Sequence, residues 1–173
     1  MDNLKAIIEA LIFASEAPIT VARIKGILED IKEDEILAVI NDLAREYEKR
    51  GGGITLREIA GGYQFRTDES RAPWVQKLKR EKPLTLSPAA METLAVVAYR
   101  QPVMKSEIEK VRGVDVSGSL KGLLERNFVR MMGRKNVPGR PIIYGTTVKF
   151  LETFGLNALS DLPTLREFKE LEG

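Results

Sequence analysis

The chain has 173 residues, 43% hydrophobic and 30% charged, which is the make-up of an ordinary globular protein with room for two small domains. It contains no cysteine and no histidine, so disulfides and thiolate metal sites are excluded, and the commonest acid–base residue and metal ligand is missing. The net charge of +2 hides a split, because residues 1–70 carry 9 basic and 14 acidic side chains while residues 71–173 carry 18 and 11.

In chain order, Leu4, Ile7, Ile8, Leu11 and Ile12 form one apolar helical stripe. Pro18 ends a turn, and Thr20 is placed to cap a second short helix through Leu28. A third helix starts among Glu33, Asp34 and Glu35, acids that suit the positive end of a helix dipole. It is expected to bury Ile36, Ile40, Leu43 and Tyr47 and to stop at Gly51-Gly52-Gly53. A hairpin follows, with strands Ile54–Ile59 and Tyr63–Arg66 about a Gly61-Gly62 turn. Three helices and a hairpin make a winged helix.

A linker containing Pro73, Pro83 and Pro88 holds a short helix around Trp74, Val75 and Leu78. Ser87-Pro88 then opens a second unit, serine as cap and proline at the first helical position. Its first helix has the stripe Met91, Leu94, Ala95 and Ala98. Ile108 and Val111 serve its second helix, and Val116, Leu120, Leu123 and Leu124 its third, which Asp115 is placed to cap. Strands at Phe128–Met132 and Ile142–Tyr144 flank a longer wing loop from Gly133 to Gly139. A helix at Val148–Phe154 and a tail with Leu162, Leu165, Phe168 and Leu171 complete the chain.

The two units share one pattern. Pro18 and Pro102 are 84 residues apart, and Ala14/Ala98, Ile19/Val103, Ile24/Ile108, Ile27/Val111, Ile36/Leu120 and Ile40/Leu124 keep that offset. The predicted fold is mainly α with small β wings (α+β), two tandem winged-helix domains joined by a linker. The domains are residues 1–68, a linker at 69–86, 87–163, and a tail at 164–173.

Winged helices often read DNA with their third helix. In the first unit that helix is acidic, with Glu33, Asp34, Glu35, Asp42, Glu46 and Glu48 against Arg45, Lys49 and Arg50, so a duplex would repel it. In the second unit it offers only Ser117, Ser119 and Lys121 to a base edge. Gly118 and Gly122 instead clear one face for close approach by another polypeptide, although each glycine weakens a helix by up to about 1 kcal/mol. The second wing differs: no acid occurs from Arg126 to Leu151, while Arg130, Arg134, Lys135, Arg140 and Lys149 are present. Weak, nonspecific phosphate contact through Arg130, Arg134, Lys135 and Arg140 and contact with an acidic protein segment both fit that patch.

No phosphate loop is present, because the glycine clusters lack a following lysine-serine or lysine-threonine pair. Glu107 and Glu109 point to different faces of their helix, and nothing pairs a nucleophile with a base. We expect no catalytic residues, no cofactor and no bound metal. The N-terminus has no basic segment followed by an apolar core, and no apolar run approaches the roughly 20 residues of a membrane span. A cytoplasmic protein without membrane association is expected.

The stretches Glu92-Thr93-Leu94-Ala95, Ala98-Tyr99-Arg100-Gln101-Pro102-Val103, Glu107-Ile108-Glu109 and Val111-Arg112-Gly113-Val114-Asp115 resemble the segregation and condensation protein B family, ScpB. So do Leu123-Leu124-Glu125-Arg126, Val137-Pro138-Gly139-Arg140-Pro141, Tyr144-Gly145-Thr146-Thr147, Phe150-Leu151 and Phe154-Gly155-Leu156. In the first unit Glu9-Ala10-Leu11-Ile12-Phe13-Ala14-Ser15 and Ala60-Gly61-Gly62-Tyr63 also match. The resemblance runs to about Pro163. It implies a nucleoid-associated homodimer formed mainly by the N-terminal domains. It also implies binding to the kleisin ScpA and, through ScpA, a link to the SMC ATPase of a bacterial condensin. One departure is Met104, where the family often has threonine or serine; an absent helix cap costs about 1 kcal/mol.

On this reading the second unit grips a kleisin segment beside its third helix and wing. Tyr99, Arg100, Gln101, Glu107, Arg112 and Asp115 organise the module, and Gly139, Arg140 and Tyr144 set the wing. For each, a structural role stands beside the partner-contact role: Gln101 would fix the turn, and Arg112 would cap a helix end. The rival reading is a winged-helix DNA-binding transcriptional regulator.

Overall fold

The computed structural model describes residues 2–79 and 85–164 and resolves the chain into two compact units, residues 1–83 and 84–173. The tail positions Leu165, Phe168 and Leu171 lie outside the described residues.

Unit 1 begins with α1 (Asp2–Ala14), whose stripe buries Ile8 and Ile12 almost completely. The Thr20 hydroxyl accepts the Arg23 amide at 3.2 Å and so caps α2 (Val21–Leu28) as expected. The helix α3 (Glu33–Arg50) starts on three acids and sends Ile36, Ile40 and Leu43 into the core. It ends at Gly51, which is left-handed with φ 59°. The strands β1 (Ile54–Ile59) and β2 (Gly62–Thr67) pair antiparallel, with Ile59 opposite Gly62.

That register moves the hairpin turn one residue from where the glycines suggest. The turn is Ala60-Gly61, both at positive φ (54° and 72°), which matches the twist of the flanking strands. Gly62 belongs to the strand for another reason. A Cβ there would stand 2.9 Å from the Pro18 carbonyl, so only glycine lets β2 approach the turn after α1 this closely. A 3₁₀ turn at Glu69–Arg71 and α4 (Ala72–Lys79) follow, and the Trp74 and Leu78 side chains of α4 remain exposed.

Unit 2 opens with α5 (Pro88–Arg100), capped by the Ser87 hydroxyl, which accepts the Ala90 amide at 3.2 Å. Its core face is Leu94, Val97 and Ala98; Met91 and Ala95, expected in the stripe, are exposed instead. Short helices α6 (Lys105–Arg112) and α7 (Ser117–Glu125) bury Ile108, Leu120 and Leu123, whereas Val111 lies at the surface. The sheet contains β3 (Val103–Met104), β4 (Val129–Arg134) and β5 (Ile142–Thr146) in the order β3-β5-β4, and α8 (Val148–Phe154) closes the core with Phe150. The two-residue β3 carries no periodicity of its own, so only the structure reveals it.

The internal repeat extends to the backbone. In unit 1, Ile19 and Tyr63 exchange two hydrogen bonds, at 3.0 and 2.9 Å. In unit 2 their counterparts Val103 and Tyr144 are strand partners. In each copy, the residue after the turn proline ties the segment that follows the first helix to the second strand of the wing.

Candidate functional site

The expected organising residues of unit 2 divide by how far their polar atoms are already used. Gln101 stands at a cis peptide bond to Pro102, and its side chain is an internal bridge. Its amide donates to the Thr146 hydroxyl at 2.9 Å and to the Ala98 carbonyl at 3.3 Å, and its oxygen accepts the Thr146 amide at 2.7 Å. Arg112, with its side chain 13% exposed, donates to the Ala89 carbonyl at 2.9 Å and the Thr93 hydroxyl at 3.3 Å. It also meets the Glu92 carboxylate at 2.7 Å, locking the end of α6 to α5. Tyr144 is buried, paired across the sheet with Val103 and Met131.

Glu107 compensates for Met104. Its carboxylate accepts the Met104 amide at 2.8 Å, so the first turn of α6 is satisfied from three residues ahead although Met104 has no capping side chain. That bond, with Lys135 at 3.6 Å and Arg100 nearby, holds the Glu107 carboxyl below its ordinary range. Asp115, expected to cap α7, stands one residue before the N-cap Val116; it accepts the Ser117 hydroxyl at 2.7 Å and the Ser117 amide at 3.3 Å and pairs with Lys105 at 3.3 Å. The Ser117 contact first, then the shared contact with Glu109 and the Lys105 ammonium, lower its pKa to about 2.

The remaining expected residues face outward. Tyr99 is 45% exposed and donates its hydroxyl to the Pro163 carbonyl at 2.6 Å. Gly139 and Arg140 shape the wing loop at φ 81° and 40°, and the Arg140 carbonyl accepts from Arg134 at 3.1 Å. Arg100 ends α5 at the surface. The structure thus links Arg100, Glu107 and Lys135 through charge, while Tyr99 and Arg112 make separate contacts.

Several surface features escaped the sequence reading. An apolar groove of ≈ 290 Å³ runs beside α5 and α8 and is lined by Met91, Tyr99, Phe154 and Leu162 among others. Its sequence trace is the apolar stripe of α5, from which Met91 and Ala95 are left exposed in the structure. A second cleft, between the Gln101-Pro102 turn and the start of α8, gathers Arg130, Met132 and Lys149 from distant positions. In unit 1, Lys5 pairs with both Asp42 and Glu46, and Tyr47 donates to Glu9 at 2.5 Å, so part of the acidic face of α3 is neutralised by α1. Phe13 on α1 is 77% exposed. Among the described residues no group of three or more carboxylates is gathered where it could hold a metal ion, and no helix is long and apolar enough to cross a membrane.

The family model for the segregation and condensation complex subunit ScpB matches residues 6–165. Segregation and condensation protein B of Syntrophotalea carbinolica is 48% identical over 169 residues, covering 98% of this chain and 85% of the relative. The protein of the same name from Desulforamulus reducens is 43% identical over 167 residues, covering 96% and 92%. Among solved structures, ScpB from Mycobacterium tuberculosis aligns over 90% of this chain and 96% of its own at 35% identity, with a TM-score of 0.43. A dimer of the ScpB N-terminal domain complexed with ScpA peptide aligns over 44% of this chain and 95% of its own at 35% identity, with a TM-score of 0.41. Because the family model crosses both units and both relatives match nearly end to end, this chain belongs to the ScpB family of segregation and condensation proteins.

Proposed function

We propose that the chain is a non-enzymatic scaffold that homodimerises, binds the kleisin ScpA, and through it joins the SMC ATPase in chromosome condensation and segregation during cell division. The observation that carries this reading is the family match over residues 6–165, which takes in both winged-helix units. In our division of labour, residues 1–68 form the dimer, 69–86 link, 87–163 bind the partner beside α7 and the wing, and 164–173 are a tail. The exposed Phe13 in unit 1 supports the first assignment, since a large aromatic left in water is characteristic of a protein interface. The internal use of Gln101, Arg112 and Tyr144 supports a rigid module in unit 2, with partner contact falling to Tyr99, Arg100, Asp115, Gly139 and Arg140. The nucleoid within the cytoplasm is the proposed place of action.

A pull-down with the ScpA protein of the same organism at physiological salt tests this reading. Retention of ScpA by the full chain is expected. A chain that fails to retain ScpA, yet shifts one DNA sequence in preference to random duplex, contradicts it.

A further inference from the structure

We infer that the cleft between the Gln101-Pro102 turn and the start of α8 is the seat for an acidic, partly apolar peptide segment of the partner. The cleft measures ≈ 780 Å³ and has two cations, Arg130 and Lys149, among its walls and no acid. Pro102, Met132, Val148 and Leu151 supply an apolar lining around those charges.

Both cations are positioned in advance. Arg130 donates its Nε to the Thr146 carbonyl at 3.3 Å, and the Lys149 ammonium stands 5.6 Å from the centre of the Phe128 ring. Among the described residues neither has a carboxylate within 4.0 Å, in contrast to Lys5, Lys105 and Arg112, which all have one. Further along the wing, Arg134 and Arg140 add positive charge, while Lys135 between them is paired with Glu107 at 3.6 Å. A ligand carboxylate would therefore meet prepaid geometry and, among the residues that line the cleft, no competing acid.

The apolar lining separates a peptide from DNA. A phosphate backbone answers the two cations but presents nothing to Pro102, Met132, Val148 and Leu151, so their surface would stay wet. A peptide with an acidic side chain beside an apolar one fills both halves of the cleft, and the flexible Met132 thioether adapts to the apolar part. The occupant is a segment of the polypeptide that unit 2 holds, so this inference rests on the partner-binding reading above.

The test uses the full chain and ScpA. Met132 is replaced by a photo-crosslinking phenylalanine analogue in one sample, and Val148→Asp is made in another. Val148 is 58% exposed at the start of α8, so the aspartate occupies the cleft cations and repels an acidic ligand without dismantling the fold. The double variant R130E/K149E and the surface control Lys110→Glu complete the set, with thermal melts reporting folding. We expect a crosslink from position 132 to an acidic segment of ScpA. V148D and R130E/K149E should bind ScpA at least about tenfold more weakly while K110E binds normally. Normal ScpA binding by V148D, or a crosslink to a segment without acids, overturns the cleft while leaving the partner reading intact. Failure of the unmodified chain to bind ScpA overturns both. Loss of duplex-DNA binding rather than ScpA binding in the variants overturns the peptide assignment in favour of phosphate.

Discussion

Arg112 shows how a residue that resembles a contact point in sequence becomes an internal clamp. Its guanidinium reaches the Ala89 carbonyl, the Thr93 hydroxyl and the Glu92 carboxylate from a largely buried position. Arg112→Ala removes charge-assisted bonds and leaves α5 acceptors behind, so urea unfolding should show a loss of about 1–3 kcal/mol. An unchanged midpoint would mean that water replaces the clamp. Asp115 makes a pH-dependent contribution. Its folded pKa of about 2 lies below the ordinary aspartate value, so its stabilisation is fully present above pH about 4 and is lost as pH falls through about 2. Asp115→Asn should therefore lower the melting temperature at pH 7 and flatten its decline between pH 4 and pH 2. Parallel melting curves for the two proteins across that interval would contradict the assignment. The sequence disclosed the chemistry of these residues but not their partners, because Arg112 and Ala89 are joined only by the crossing of two helices.

At the scale of elements, local chemistry was well marked. Thr20, Ser87 and Gly51 delimit helices in sequence and do so in the structure, and α8 occupies Val148–Phe154 as its pattern predicts. Elements defined by long-range pairing were less visible. β3 is two residues long and exists because β5 lies beside it, and the turn at Ala60-Gly61 is set by a register that brings Gly62 against Pro18. Gly62→Ala should cost about 1–3 kcal/mol through that backbone collision, measured by denaturant unfolding. Full stability would show that the approach of β2 to the turn can relax. The fully buried Ile108, matched by Ile24 in the first unit, sits at the centre of its core. Ile108→Ala should cost about 2–5 kcal/mol. The cleft beneath α8 was hidden for a similar reason. The basic stretch that contains Arg130 and Lys149 was legible, but its apolar neighbours Pro102, Met132 and Leu151 join it only when the sheet and helix form.

For the whole molecule, the dominant facts are two copies of a recognition fold and opposite charge in the two parts of the chain. The repeat was legible because the same apolar positions recur at one offset, and the Ile19–Tyr63 and Val103–Tyr144 pairings show the same contact in both units although the tyrosines depart from that offset. What the surfaces bind was not legible in this way, because a partner's chemistry leaves only exposed residues and uncompensated charge behind. The account predicts an assembly rather than a catalyst. Light scattering of the full chain, alone and mixed with ScpA, tests that claim most directly. The chain alone should have about twice its 19.3 kDa mass, and the mixture should give a heavier species containing both proteins. A 19.3 kDa particle that is unchanged by ScpA at micromolar concentration would contradict the account.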